Sequence, residues 1–286
     1  MDIFDAGAPA ERIFYMENVL DMFRLDGKVA LVTGGAGTYG RTFSYGHQAV
    51  IGLLQAGADV WIASRTLKKN EEYAAMLKEQ GLDKIHVATF DQGDEASILA
   101  LRDKIMEESG RFDILVNNSV YRCKEPEGWY DDPLFFRKSL DINGTGLFLV
   151  TRTFGKIMIE QGEGGSIINI GSYMGELSAD EYLYKDLDID CWGGADYFYN
   201  KGGMHNMTRL FAGFYGPHNI RCNCVSLGGL FNYQDPLFLD RYCKKTFLGR
   251  MANETDLMGL IVYLASDASR YMTGAVIPLD GGYSAK

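Results

Sequence analysis

Lys28-Val-Ala-Leu-Val-Thr-Gly-Gly-Ala-Gly-Thr-Tyr-Gly40 begins as an apolar run and ends in a turn crowded with glycine. The run Lys28–Thr33 reads as a strand covered on both faces, as strands of parallel sheets are. The turn after it lets backbone amides approach a pyrophosphate at the start of a helix. That helix ends in Ala56-Gly-Ala-Asp, and a second strand follows at Asp59–Ala63. A buried strand, a Gly-rich turn, a helix and another strand predict one doubly wound, Rossmann-like α/β domain that binds a dinucleotide.

The second strand runs into Ser64-Arg65, with Lys68 and Lys69 close behind. An acidic residue at this place would bind the ribose diol and repel a 2'-phosphate. An uncharged Ser64 beside Arg65 suits that phosphate, which an arginine grips with two hydrogen bonds. The alternative is a solvated helix start. NADP is the expected cofactor, with NAD possible. Further strands are expected at Lys84–Phe90, Phe112–Val116, Ser166–Ile170 and from Ile220. Helices are expected over Asp94–Ser109 and Leu134–Gln161, and the sheet is expected to hold about seven mostly parallel strands.

Downstream lies Tyr197-Phe-Tyr-Asn-Lys201. In a helix this spacing stacks Tyr197 and Lys201 on one face. An ammonium fixed near a phenol favours the phenolate, so such a tyrosine can exchange a proton near neutral pH. Ser172 closes the Ser166–Ile170 strand, at the carboxyl edge where open α/β sheets bind ligands.

The 286 residues carry a net charge of −10, which argues against nucleic acid and anionic membranes as partners. No apolar run reaches the roughly 20 residues that cross a bilayer. The first ten residues are acidic and lack a secretory pattern. Five cysteines without disulfide-like spacing point to a reducing cytoplasm. Cys222-x-Cys224 falls at alternate positions of an apolar strand with no second ligand pair nearby, so no metal is expected. Glu11–Phe23 has the apolar spacing of an amphipathic helix. Residues 1–24 are therefore read as an N-terminal extension and 25–286 as the dinucleotide-binding domain.

Together these motifs resemble the short-chain dehydrogenase/reductase family over about residues 25–283. Thr33, Gly34 and Gly40 match its Thr-Gly-x-x-x-Gly-x-Gly turn, but Thr38 occupies the middle glycine's place and Gly37 comes one residue early. Counting back from Ala56-Gly-Ala, the family spacing lands on Gly46 instead of Gly40, so about six extra residues lie around the turn. The resemblance implies a pyrophosphate contact along Gly34, Gly37, Thr38, Tyr39 and Gly40, at Gly46, or at both ends of a longer loop. It implies that Asp91 meets the adenine and that Asn117 braces the sheet beside the nicotinamide. Ser119-Val120 depart from the family's Ala-Gly. Asn143 matches a residue whose carbonyl holds a water in the family's proton path. Ser172, Tyr197 and Lys201 match its catalytic set: hydrogen bonding to the reacting oxygen, acid–base chemistry, and support of the phenolate and nicotinamide ribose. Val225-Ser-Leu-Gly228 matches a turn toward the nicotinamide amide, with Leu227 in place of proline.

Ser172 and Tyr197 are 25 apart where the family has about thirteen. The resemblance places this insert, with Glu176, Asp180, Glu181, Tyr182, Tyr184, Asp186, Asp188, Asp190 and Trp192, over the substrate pocket. Carboxylates and aromatic rings there suit a polyhydroxylated substrate; a loop over a subunit edge is the alternative. The expected activity is hydride transfer between NADP(H) and a secondary alcohol or ketone of a sugar, polyol or sugar acid. The rivals are an acyl or enoyl thioester reductase, and a nucleotide-binding regulator without catalysis. Phe231–Thr246 is expected to be a mobile substrate loop and helix. A homotetramer or homodimer is expected to pair through the helices of Leu134–Gln161 and Asp196–Tyr215.

Overall fold

The computed structural model describes residues 18–39, 42–122, 133–188, 191–192 and 194–285. Seven parallel strands form one sheet: β1 (Val29–Thr33), β4 (Asp59–Ser64), β5 (Ile85–Thr89), β6 (Ile114–Asn117), β7 (Gly165–Ile170), β8 (Ile220–Leu227) and β9 (Val276–Leu279). Their order is β5-β4-β1-β6-β7-β8-β9. The order reverses between β1 and β6, which opens a crevice beyond the strands' carboxyl ends. A separate antiparallel hairpin, β2 (Thr38–Tyr39) with β3 (Thr42–Phe43), rises from the Gly-rich turn. The extra residues around the turn are thus this hairpin; its tip, with Gly40, lies outside the described residues.

Helices cover both faces of the sheet. On one side lie α1 (Tyr45–Gln55), α2 (Leu67–Glu79) and α9 (Met258–Ala265). Val32, Ile62, Val116 and Ile168 pack there with Leu53, Leu77 and Ile261. On the other side lie α3 (Glu95–Ser109), α5 (Gly146–Gln161) and α7 (Ala195–Tyr215). Leu31, Trp61, Leu115 and Ile167 pack there with Ile98, Phe154 and Phe211. Neighbouring residues of a strand therefore enter opposite layers, which is why β1 and β6 are buried throughout and read as apolar runs. Each large apolar side chain so covered contributes about 1.5–3 kcal/mol.

Local signals set the helix ends. The Asp94 carboxylate caps α3 by accepting from the Ala96 amide, and Gly110 ends it with φ +70°. The long helical region is α4 (Leu134–Leu140), a π-turn (Asp141–Thr145) and α5 in continuous succession, with Asn143 inside the π-turn. Two shorter helices, α6 (Glu181–Tyr184) and α8 (Pro236–Lys245), lie over the crevice near β8. The amphipathic helix expected over Glu11–Phe23 falls mostly outside the described residues; Asp21–Phe23 is a single 3-10 turn. Among the described residues, no helix is long and apolar enough to cross a membrane.

Candidate active site

The Gly-rich turn closes on itself. Gly34 adopts φ +66°, which favours glycine, and its amide donates to the Ala63 carbonyl at 2.7 Å. The chain then runs through the hairpin and returns to Gly34 at the start of α1. There, a Cβ on Gly46 would lie 2.6 Å from Asn118 Nδ2 and 3.0 Å from the Gly34 carbonyl oxygen. Asn118 holds the turn from β6, donating to the Thr33 and Gly34 carbonyls at 2.9 and 3.1 Å. Thr33 Oγ1 in turn accepts from the Asn118 and Ser119 amides. The result is a backbone-lined cradle at a helix start, the kind of surface that fits a pyrophosphate. Gly37 is exposed within the turn; Thr38 and Tyr39 form one strand of the hairpin.

At the end of β4, Ser64 Oγ donates to Asn70 Oδ1 at 2.8 Å. Arg65 is exposed. Asp91 is half-buried and accepts from the Gly93 amide at 2.9 Å. Asn117 is buried and donates to Thr151 and Asn169, tying β6 to α5 and β7. It is Asn118, the next residue, that lines the cavity.

That cavity, of about 470 Å³, lies at the carboxyl edge of the sheet. Ser172, Tyr197, Lys201 and Gly228 all open onto it. Ser172 leaves β7 and accepts from the Met174 amide at 3.2 Å while bonding the Tyr197 phenol. Tyr197 and Lys201 share one face of α7, with Lys201 Nζ 5.5 Å from the Tyr197 ring centroid. Lys201 is buried and donates to the Ile170 carbonyl at 2.5 Å, which fixes its ammonium beneath the phenol. Burial alone would raise the Tyr197 phenol. Lys201, then Arg122 and the hydrogen bond with Ser172, outweigh it and hold the phenol below its ordinary value. A phenol held this way gives up its proton more readily than a free one.

Asn143 is buried in the π-turn. Its amide clamps both backbone groups of Tyr121, accepting from the nitrogen at 2.7 Å and donating to the oxygen at 2.8 Å. It also reaches Ser139, which bonds Asp196 and Asn200 of α7. This network joins the π-turn, the loop after β6 and α7. A π-turn projects groups that a regular helix would bond internally, and such turns recur at functional sites.

The insert differs from expectation. Among the described residues, its acids do not line the cavity. Asp180 pairs with Lys245 of α8, and Asp186 lies 3.2 Å from Arg241. Glu176 lies 3.4 Å from the His205 ring. Tyr182 lies under Arg241 and Lys245, at 5.1 and 5.7 Å. Of the expected insert residues that the structure describes, Tyr184 alone lines the cavity, its ring 5.3 Å from that of Phe238. The reason is electrostatic: α8 carries Arg241 and, in its last turn, Lys244 and Lys245, and Asp180 and Asp186 go to Lys245 and Arg241. Asp190 lies outside the described residues. The cavity wall is instead aromatic, running from Tyr184 through Phe238 and Tyr242 to Tyr173. Tyr283 packs behind Tyr173 and Tyr242 at 4.6 and 5.0 Å.

Sequence reading missed Asn118, Arg122 and this wall. A signal for the first two was present: both follow a central strand at its carboxyl end, where ligands bind. Cys222 and Cys224, the pair considered for a metal, are buried in β8, and burial raises both thiols, that of Cys224 to about 12.

A family model described as enoyl-(acyl carrier protein) reductase matches residues 41–284. The 2-dehydro-3-deoxy-D-gluconate 5-dehydrogenase of Escherichia coli strain K12 is 31% identical, aligned over 94% of this chain and all of its own. The chain is a short-chain dehydrogenase/reductase. Within that family it is also 31% identical to a ribulose-forming D-arabinitol 2-dehydrogenase of Scheffersomyces stipitis, over 93% of this chain and 97% of the relative. A solved gluconate 5-dehydrogenase from Burkholderia cenocepacia, in complex with NADP and tartrate, superimposes on this short-chain dehydrogenase/reductase with a TM-score of 0.80. The two are 30% identical, over 93% of this chain and 99% of that one.

Proposed function

We propose that this oxidoreductase uses NADP(H) to interconvert a secondary alcohol and a ketone on a sugar acid or polyol. The observation that carries the reading is that Ser172, Tyr197 and Lys201 meet on one cavity beside the Gly34–Gly46 cradle. Bound there, the nicotinamide accepts or supplies the hydride. In oxidation the Tyr197 phenolate takes the hydroxyl proton. In reduction the phenol returns a proton to the carbonyl oxygen. Ser172 donates to that oxygen as charge develops on it. Lys201 keeps the phenolate accessible and would hold the nicotinamide ribose. Asn143 fixes the loop and helix that carry these groups. Gly34, Gly37 and Gly46 are the proposed pyrophosphate contacts, with Arg65 and Ser64 at the 2'-phosphate and Asp91 at the adenine.

The substrate class follows the relatives, which act on sugar acids and a polyol, and the aromatic wall offers ring faces to stack on a sugar. A carrier-bound thioester suits the cavity less well. Its phosphates need a basic rim, yet Lys245 and Arg241 are tied to Asp180 and Asp186. The absorbance of reduced nicotinamide, followed with both cofactors against sugar acids and polyols, tests the reading. Turnover of an enoyl thioester with none of these would overturn it.

We further propose a homodimer or homotetramer working in the cytoplasm. Tyr199, Leu210 and Phe214 are exposed at spacings that place them on one face of α7, and Phe148 of α5 is also exposed. The described cysteines are free thiols, which suits a reducing compartment.

A further inference from the structure

Arg122 stands on the loop after β6, its guanidinium 4.3 Å from the Tyr197 ring centroid and hydrogen-bonded to the phenol. It lines the same cavity as the reacting groups. Its place is built: Asn143 grips both backbone groups of the preceding residue, Tyr121, so the loop leaves β6 in one direction. The chain is acidic, with 38 Asp and Glu against 28 Lys and Arg. Even so, among the described residues no carboxylate forms an ion pair with Arg122. The groups that face the phenol are Lys201 on its own helix, Ser172 and Tyr173 after β7, and Arg122 after β6. Lys138 of α4 is turned to the Tyr121 ring instead, at 5.4 Å.

We propose that Arg122 is a second catalytic cation: it shares the charge of the Tyr197 phenolate with Lys201 and helps set the pH at which alcohol oxidation begins. This rests on Tyr197 being the acid–base group. A guanidinium serves here as a fixed cation and not as a proton carrier. In oxidation the substrate O–H bond breaks and its proton goes to the phenolate oxygen. The carbinol hydride goes to the oxidised nicotinamide, which is reduced as the alcohol is oxidised. Lys201 and Arg122 release the oxygen's negative charge in step with that proton transfer. An arginine suits the post because its flat, weakly hydrated head can lie on a ring face and still donate to the hydroxyl.

Arg122→Met removes the charge and keeps most of the length; Arg122→Lys keeps the charge and loses the fork. The phenolate of Tyr197 is titrated without substrate by ultraviolet difference absorbance, each protein against its own Tyr197→Phe counterpart. The pH profiles of kcat and KM for oxidation are measured beside it. In Arg122→Met the phenolate midpoint should rise by about one pH unit, and oxidation well below both midpoints should slow about tenfold. KM should change little, and Arg122→Lys should fall between the two. An unmoved midpoint in Arg122→Met overturns the proposal. So does a raised KM with an unmoved pH profile, which would make Arg122 a substrate-binding group. Near-normal turnover in Tyr197→Phe alone would overturn the acid–base reading instead, and the substrate-free titration tells the two failures apart.

Discussion

Gly46→Ala tests whether the nucleotide cradle closes at the start of α1. The new methyl would lie 2.6 Å from Asn118 Nδ2 and 3.0 Å from the Gly34 carbonyl oxygen. The carbonyl belongs to a residue held at φ +66° and cannot retreat cheaply. Asn118 can swing away, but it then gives up its bonds to the Thr33 and Gly34 carbonyls. Two such bonds at about 1 kcal/mol each put the cost near 2 kcal/mol. Shifting α1 instead is an overpacking cost of about 1–3 kcal/mol. Either route should lower the melting temperature by about 2–5 °C. Both routes also deform the surface proposed to face the pyrophosphate, so NADPH affinity should fall by up to about 30-fold. Calorimetric titration with NADPH and thermal melts measure the two losses. A Gly46→Ala protein with wild-type melting and affinity, alongside a Gly40→Ala protein that has lost nucleotide binding, would refute the closure at Gly46.

Tyr197→Phe keeps the ring and loses the proton donor, so turnover should fall by about 10²-fold or more while NADPH affinity, measured by titration, stays near wild type. Arg65→Ala should weaken NADPH by about 1–3 kcal/mol and leave NADH nearly unchanged, as read by paired titrations; a wild-type protein that prefers NADH would refute the assignment. His47 is buried under the Gly-rich turn, and burial lowers its imidazole from 6.5 to about 4, with a bond to the Gly37 carbonyl opposing this. The unfolded chain takes up that proton at higher pH than the folded one does, so this contribution is intact above pH 6.5 and is lost as pH falls toward 4. The loss should total about 3 kcal/mol, visible as a flatter stability–pH curve in His47→Gln over that window.

Most of the fold was legible because its strands are buried on both faces. Runs such as Val29–Thr33 and Ile114–Asn117 have no polar face to confuse their reading. The hairpin in the Gly-rich turn was legible only as a count of extra residues. Its strands are too short for a period to develop, so spacing revealed the insertion and not its form. The π-turn at Asn143 was hidden for a related reason: a single widened turn leaves the apolar period of the helix nearly intact.

The site divides by how far apart its partners lie in sequence. Tyr197 and Lys201 are one helical turn apart, so their meeting on one face follows from the helix itself. Ser172 was placed by the strand it closes. The insert was misjudged because its acids were weighed by composition, while their partners on α8, Arg241 and Lys245, lie beyond α7 and β8. Nothing local tells an aspartate whether it will face a substrate or a lysine of another helix. The same holds for Arg122, whose ring partner is on α7. The described part of the insert therefore reads as a strap that ties α8 down by charge and reaches the cavity through the ring of Tyr184. Loosening the strap should act on the substrate through α8 and its Phe238, not through lost contacts of Asp180 and Asp186, because these two already have their cations.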